Sequence, residues 1–264
     1  MFLNKHRGMV ASKKPIPTTS LNLHSDVIAY RDRIIAKGST ISNSDLSALD
    51  TWARTIIDAN LKSLFLAFYP YAGNDWISAR EALWVPNGAP TQLALVGTNF
   101  TSSNYTRITG FAGDGTQGFS TGFSFNGASN WSYSVYLRTS GNNSVQIGTG
   151  SGDSDYLAQN FSGISYYSNS SGHIDGTFQG WYTAQYSNLL RNGVLLHTNT
   201  NVNSGIVASN QNTYIHGRNN QGALFQGTNR SIGCVAVSTT KTPAQDLTIY
   251  NAVQTLMTAF GRSV

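Results

Sequence analysis

Acidic side chains are scarce in this chain. Glu81 is the only glutamate among 264 residues, and 12 acidic groups face 17 basic ones for a net charge of +5. A chain so poor in carboxylates has few ways to assemble the acid and base of a hydrolase. Cysteine is rarer still: Cys234, in the apolar run 232–237, cannot form an intrachain disulfide and reads as a small buried hydrophobe. No apolar run approaches the roughly 20 residues of a membrane span. The first twenty residues lack the apolar core of a secretory signal, so the Asn-x-Ser/Thr triplets at Asn104 and Asn160 read as unmodified.

Other chemistries find little support in the sequence. His6, His24, His173, His197 and His216 show no short metal-ligand spacing. Gly-x-Ser-x-Gly is absent, and the glycine-rich runs 113–116 and 148–152 do not end in the Lys-Ser/Thr of a phosphate loop, so they read as turns. Neither a repeat of fixed period nor a heptad run long enough for a fibre stalk is visible.

What is present changes texture near Leu64. Residues 1–22 form a basic flexible arm with Phe2, Leu3, Lys5, Arg7, Lys13 and Lys14, separated charges and two prolines, Pro15 and Pro17. Val27, Tyr30, Ile34 and Ile35 then fall on one helical face, and Gly38 follows where a positive φ would end the helix. Ser42 with Asp45, or Ser44 itself, suggests the cap of a second helix striped by Leu46, Leu49, Ala53, Ile56 and Ile57. Together these predict a helical hairpin over 23–63. The aromatic run 64–71 could be strand or helix. From about residue 93 strand signals dominate: Trp131, Tyr133, Val135 and Leu137 alternate with Ser132, Ser134, Tyr136 and Arg138, the period of a strand with one buried face. Asn192-Gly193 between two apolar runs is the strongest hairpin signal. Further strands are expected at 163–167, 180–186, 212–216 and 231–237. After Pro243, Leu247, Tyr250, Val253, Leu256, Met257 and Phe260 stripe a terminal helix. The expected fold is mainly β: an antiparallel two-sheet jelly-roll sandwich over 64–242, with the helical hairpin and the helix of 243–264 packed on it.

In this order the elements resemble the laminin-G-like or concanavalin-A-like jelly rolls of tailed-phage structural proteins. The residues that carry the likeness are 29–38, the stretch 65–73 with Phe68-Tyr69-Pro70-Tyr71, 110–118, 131–136, 190–194, and the ending from Ile232-Gly233 to Phe260-Gly261. The resemblance implies a non-enzymatic virion component, a head fibre, decoration or tail-associated module. Its expected partners are other virion proteins and further copies in the particle, with the basic arm as attachment element and no nucleic acid bound. Relatives of this fold that hydrolyse glycans carry a Glu-x-Asp-x-x-Glu strand, which is missing here, so a glycan hydrolase is the weakest reading. The competing reading is a glycan-binding adhesin for a host surface. Its contacts would come from Tyr166, Tyr167, Trp181, Tyr182, Tyr186 and Tyr214, aromatics able to lie against a sugar ring. Asp153 and Asp155 could hold calcium only if backbone carbonyls or Asp175 joined them, since calcium takes 6–8 oxygens; otherwise they sit in a solvated turn. No other cofactor is expected.

Overall fold

The computed structural model describes residues 21–97, 100–124, 130–139, 144–148, 156–161, 164–167, 171–174, 179–185, 188–198, 212–225 and 227–264. Helices α1 (Ser25–Ala36) and α2 (Asn43–Asp58) precede β1 (Phe65–Tyr69), the short α3 (Trp76–Ala79) and β2 (Ala94–Gly97). Then come β3 (Tyr105–Thr106), β4 (Gly110–Ala112), β5 (Gln117–Ser124), β6 (Ser132–Leu137), β7 (Ser144–Gly148), β8 (Tyr156–Phe161), β9 (Ile164–Tyr167) and β10 (Ser171–Ile174). The chain closes with β11 (Gly180–Gln185), β12 (Asn188–Arg191), β13 (Val194–Thr198), β14 (Asn212–Ile215), β15 (Arg218–Asn220), β16 (Ala223–Phe225), β17 (Ser231–Ser238) and α4 (Pro243–Ala259). The mainly-β character and the helical ends agree with the sequence reading.

Local chemistry explains where several elements begin and end. Ser42 caps α2 by accepting from the Asp45 amide at 3.1 Å, and Thr242 caps α4 by accepting from Gln245. Gly38 takes φ +73° just after α1. Asn192 and Gly193, at φ 52° and 77°, turn β12 into β13. Gly193 has a second reason to be glycine. A methyl there would lie 2.4 Å from Leu247 Cα, so the hairpin tip meets α4 backbone to backbone.

The strands form two sheets. One runs β13-β12-β11-β6-β17-β4-β3, with β1 beside β4 along the same edge of β17. The other runs β10-β9-β8-β7-β14-β5-β2. The expected two-sheet jelly-roll sandwich is corrected by this second sheet. From β7 a parallel bridge leads to β15, which pairs with β16. Leu224 of β16 then sits so close to Gly97 of β2 and Gly118 of β5 that a methyl on either would fall within 2.8 Å of its side chain. The sheet thus curls almost into a closed barrel. Side chains at these glycines would hold the β15–β16 hairpin away, so the closure depends on their absence.

Two cores result. Between the sheets lie Tyr133, Val135, Leu137, Phe119, Ile147 and Ile215. The second core covers the outer face of the first sheet: Trp181, Tyr136, Cys234 and Ala236 meet Val27, Tyr30 and Ile34 of α1, Leu49 and Trp52 of α2, and Ile249, Val253 and Met257 of α4. Here the sequence pattern misled. β6 is buried on both faces, including Ser132 and Ser134, because α4 lies where solvent was expected. Leu247, placed on the buried stripe of α4, is instead 43% exposed.

Arg262, fully buried just beyond α4, ties the two ends of the architecture together. Its guanidinium donates to the carbonyl oxygens of Tyr71 at 2.7 Å, Gly233 at 2.9 Å, Pro70 at 3.3 Å and Arg107 at 2.6 Å, and to Tyr105 Oη at 3.2 Å. Arg107 in turn holds Asp45 of α2, Nε to Oδ1 at 3.0 Å. Replacing Arg262 by methionine keeps length and apolar bulk but takes this donor from the Pro70, Gly233 and Arg107 carbonyls, while Tyr71 O keeps the Tyr105 hydroxyl at 2.9 Å; each buried acceptor left unsatisfied costs about 1–3 kcal/mol. Arg262→Met is therefore expected to lower the melting temperature by about 10 °C, taking roughly 2–4 °C per kcal/mol for a chain of this size. A calorimetric shift under about 2 °C would contradict that role.

Candidate functional site

Helices α2 and α4 lie side by side on the first sheet and enclose a groove of about 390 Å³. This is within the ordinary range for ligand sites. Arg107 bridges the acidic Asp45 at the start of α2 and the carbonyl oxygens of Ala259 and Phe260 at the end of α4, so the helices run antiparallel. The floor is apolar, with Trp52, Ala252 and Leu256. Threonines 51 and 55 on α2 and 248 and 255 on α4 form the walls, with Asn251. The hydroxyl protons of these threonines are given to the carbonyls of Ser47, Thr51, Ala244 and Asn251, at 2.8–3.0 Å. Their oxygen lone pairs stay available to accept from a ligand.

The floor is held in place by aromatic stacking. Trp52 stacks on Phe68 of β1 at 3.9 Å between centroids and leans on Trp84 at 4.9 Å. Its indole N–H is buried and meets no acceptor among the described residues.

The α4 wall is fixed by a buried polar network on the helix-facing side of the first sheet. Lys241, directly before the cap of α4, donates Nζ to Ser132, Ser134 and Ser238 hydroxyls at 2.8–3.2 Å and lies 3.8 Å from Asp246. Asp246 accepts from Thr183 at 2.8 Å and from the Trp181 indole at 3.3 Å. Gln185 closes the ring through both the amide and the carbonyl of Lys241. Burial pulls the Lys241 ammonium down to about 8, against the opposing pull of Asp246.

The residues singled out from sequence are distributed otherwise. Trp181 and Tyr182 are fully buried, Trp181 beneath α4 and Tyr182 between the sheets, which corrects their assignment as glycan contacts. Tyr214 is 6% exposed and donates its hydroxyl to Gly222 O at 2.9 Å, a packing role. Tyr166 and Tyr167 lie in β9, but their side chains, like Tyr186, Asp153, Asp155 and Asp175, are outside the described residues. So are Phe2, Leu3, Lys5, Arg7, Lys13 and Lys14. Glu81 is buried and held by Arg33 at 2.7 Å and by Lys37, a structural pairing that ties α1 to the segment after α3. Cys234 is fully buried, and burial pushes its thiol well up. His216 is enclosed by Phe100, Phe111 and Phe119 and pulled down by burial to about 3, hence neutral. Among the described residues no three His, Cys, Asp or Glu side chains converge where a metal ion could sit.

Sequence reasoning missed the groove itself. Its signal was available as small and hydroxyl-bearing residues at steps of three and four: Ala48, Thr51 and Thr55 on one helix, Thr248, Asn251, Thr255 and Ala259 on the other. Nothing in the order of residues says that the two rows face each other.

No family model and no curated protein matches the chain. Among solved structures it is similar to a mutant of Trypanosoma rangeli sialidase displaying trans-sialidase activity, at 13% identity and TM-score 0.47, over 79% of this chain and 39% of that one. It is similar also to the T. rangeli sialidase in complex with sialic acid, at 14% identity and TM-score 0.45, over 78% and 38%. A third likeness is to domain 4 of AbnA, a GH43 extracellular arabinanase from Geobacillus stearothermophilus in complex with arabinotriose, at 12% identity and TM-score 0.49, over 71% and 98%. The chain thus spans under two fifths of the sialidases' length and nearly all of the arabinanase domain. These are likenesses of fold in outline. The phage resemblance and what it implied, a non-enzymatic virion component with virion partners and a place in a particle, are not borne out by these comparisons. The matched proteins named here are carbohydrate-active, and none is a virion part.

The buried lysine makes a pH prediction. The unfolded chain keeps the Lys241 proton to its ordinary value of 10.5, whereas the folded protein releases it near 8. Between these values the unfolded state binds more protons, so this group makes stability rise with pH across the window and adds no slope below it. In urea titrations, wild type is expected to gain roughly 3 kcal/mol on Lys241→Met between about pH 7.5 and about pH 10.5. Tyrosine ionisation is common to both proteins and cancels. A pH-independent difference would show that Lys241 does not titrate in this window.

Proposed function

We propose that this chain recognises carbohydrate through the groove between α2 and α4. The observation that carries the reading is the groove's lining: threonine and asparagine walls over a floor of Trp52, Ala252 and Leu256, with no charged residue among the described ones. A sugar presents hydroxyl donors around its rim and C–H faces above and below. The threonine oxygens, with their own protons committed to helix carbonyls, suit the first, and the apolar floor suits the second. The role rests on this geometry, and it replaces the buried Trp181 and Tyr182 as contacts.

Position 255 gives the cleanest test because Thr255 is exposed and walls the groove, so a larger side chain there fills space without entering the core. Calorimetric titration against a panel of oligosaccharides is expected to find at least one saturable ligand for wild type. Thr255→Trp should weaken that ligand by about tenfold or more, equal to about 1.4 kcal/mol, with an unchanged melting temperature. Undiminished binding by the filled variant would move the site elsewhere. Chromatography of the same incubations shows whether the bound oligosaccharide is also cleaved.

A further inference from the structure

We infer that the groove selects uncharged glycans and turns away those carrying a carboxylate, such as chains of hexuronic or sialic acid. This rests on the carbohydrate reading above and names its ligand class.

The argument is an account of charge around the groove. None of its ten lining residues is charged. The nearest cations on its two walls are already engaged. Arg54, one turn along α2 from Asp50, holds that carboxylate at 2.6 Å and donates to Asn22 O at 3.1 Å. Arg107, at the far end, is committed to Asp45 and to the last carbonyls of α4. Lys241, at the start of α4, is buried beneath the helix among three serine hydroxyls and Asp246. Among the described residues a carboxylate entering the groove would find no counter-ion to replace the water it loses, a large cost. The walls sharpen the discrimination. Threonine oxygens whose protons are spent on carbonyls present lone pairs, which welcome a hydroxyl donor and repel an anion. Asn251 supplies the one side-chain amide on the walls, enough to accept from and donate to a neutral hydroxyl but too little to neutralise a charge.

The selection is read with matched pairs: neutral oligosaccharides and the same chains bearing one hexuronate or sialate, titrated into wild type, Thr255→Trp and Thr255→Arg. Wild type should bind the neutral member at least about tenfold more tightly than its carboxylated partner. Its affinity should change less than about twofold between about 50 and 500 mM salt, since no ion pair is formed. Thr255→Arg should bring the carboxylated member to within about threefold of the neutral one, and that gain should fade with salt. Equal or tighter wild-type binding of the carboxylated member, abolished in Thr255→Trp, would overturn the selection while leaving the carbohydrate site standing. Binding of neither member of any pair, or binding that Thr255→Trp leaves intact, would overturn the site and the selection together.

Discussion

The ammonium of Lys241, sealed under the first turn of α4, is the constraint on which the outer half of the molecule depends. The first sheet turns a face of Ser132, Ser134, Thr183, Gln185 and Ser238 toward the helices. Such a face would ordinarily look to water, and covering it with a helix would strand its hydroxyls. Lys241 and Asp246 resolve this by entering the face from the helix side and satisfying it: three serines accept from the ammonium, and threonine and tryptophan donate to the carboxylate. Removing the Lys241 side chain would leave three buried serine hydroxyls and the Asp246 carboxylate without their partner. The docking of α4 is therefore specific in register as well as favourable in burial.

The groove follows from that docking. Its α4 wall is fixed at one end by the Lys241 network and at the other by Arg262 and Arg107, while its α2 wall is fixed by Asp45 and by Trp52 stacked on Phe68. Among the described residues, the nearby cations and carboxylates are used up in holding the walls, and the lining between them is neutral. Structural ion pairs thus set the electrostatic character of the candidate site without touching it. The curled second sheet lies on the far side of the inner core, so its near closure shapes the body rather than the groove.

Much of the secondary structure was legible because it is governed by neighbours in sequence. Ser42 and Thr242 cap helices through bonds that span three residues, and Asn192-Gly193 turns a hairpin through its own backbone angles. The period-two pattern of β6 was read correctly as a strand. Its inference of one wet face was not correct, because a polar side chain and a solvent-facing one look the same in sequence. Trp181 and Tyr182 failed as surface candidates for the converse reason: aromatics at a glycan site and aromatics in a core share composition, and only burial separates them.

By itself the sequence determined a mainly-β chain with helical ends, an inert buried cysteine, and too few carboxylates for a glutamate-based acid and base pair. Each of these is a matter of composition or of contacts within a few residues. Only the tertiary structure decided that the second sheet curls, that Lys241 is buried, and that Thr51 and Thr55 face Thr248 and Thr255 across a neutral groove. Those facts join segments nearly two hundred residues apart. Which side chains a distant helix covers depends on the sum of contacts made when it docks, and no local pattern carries that sum.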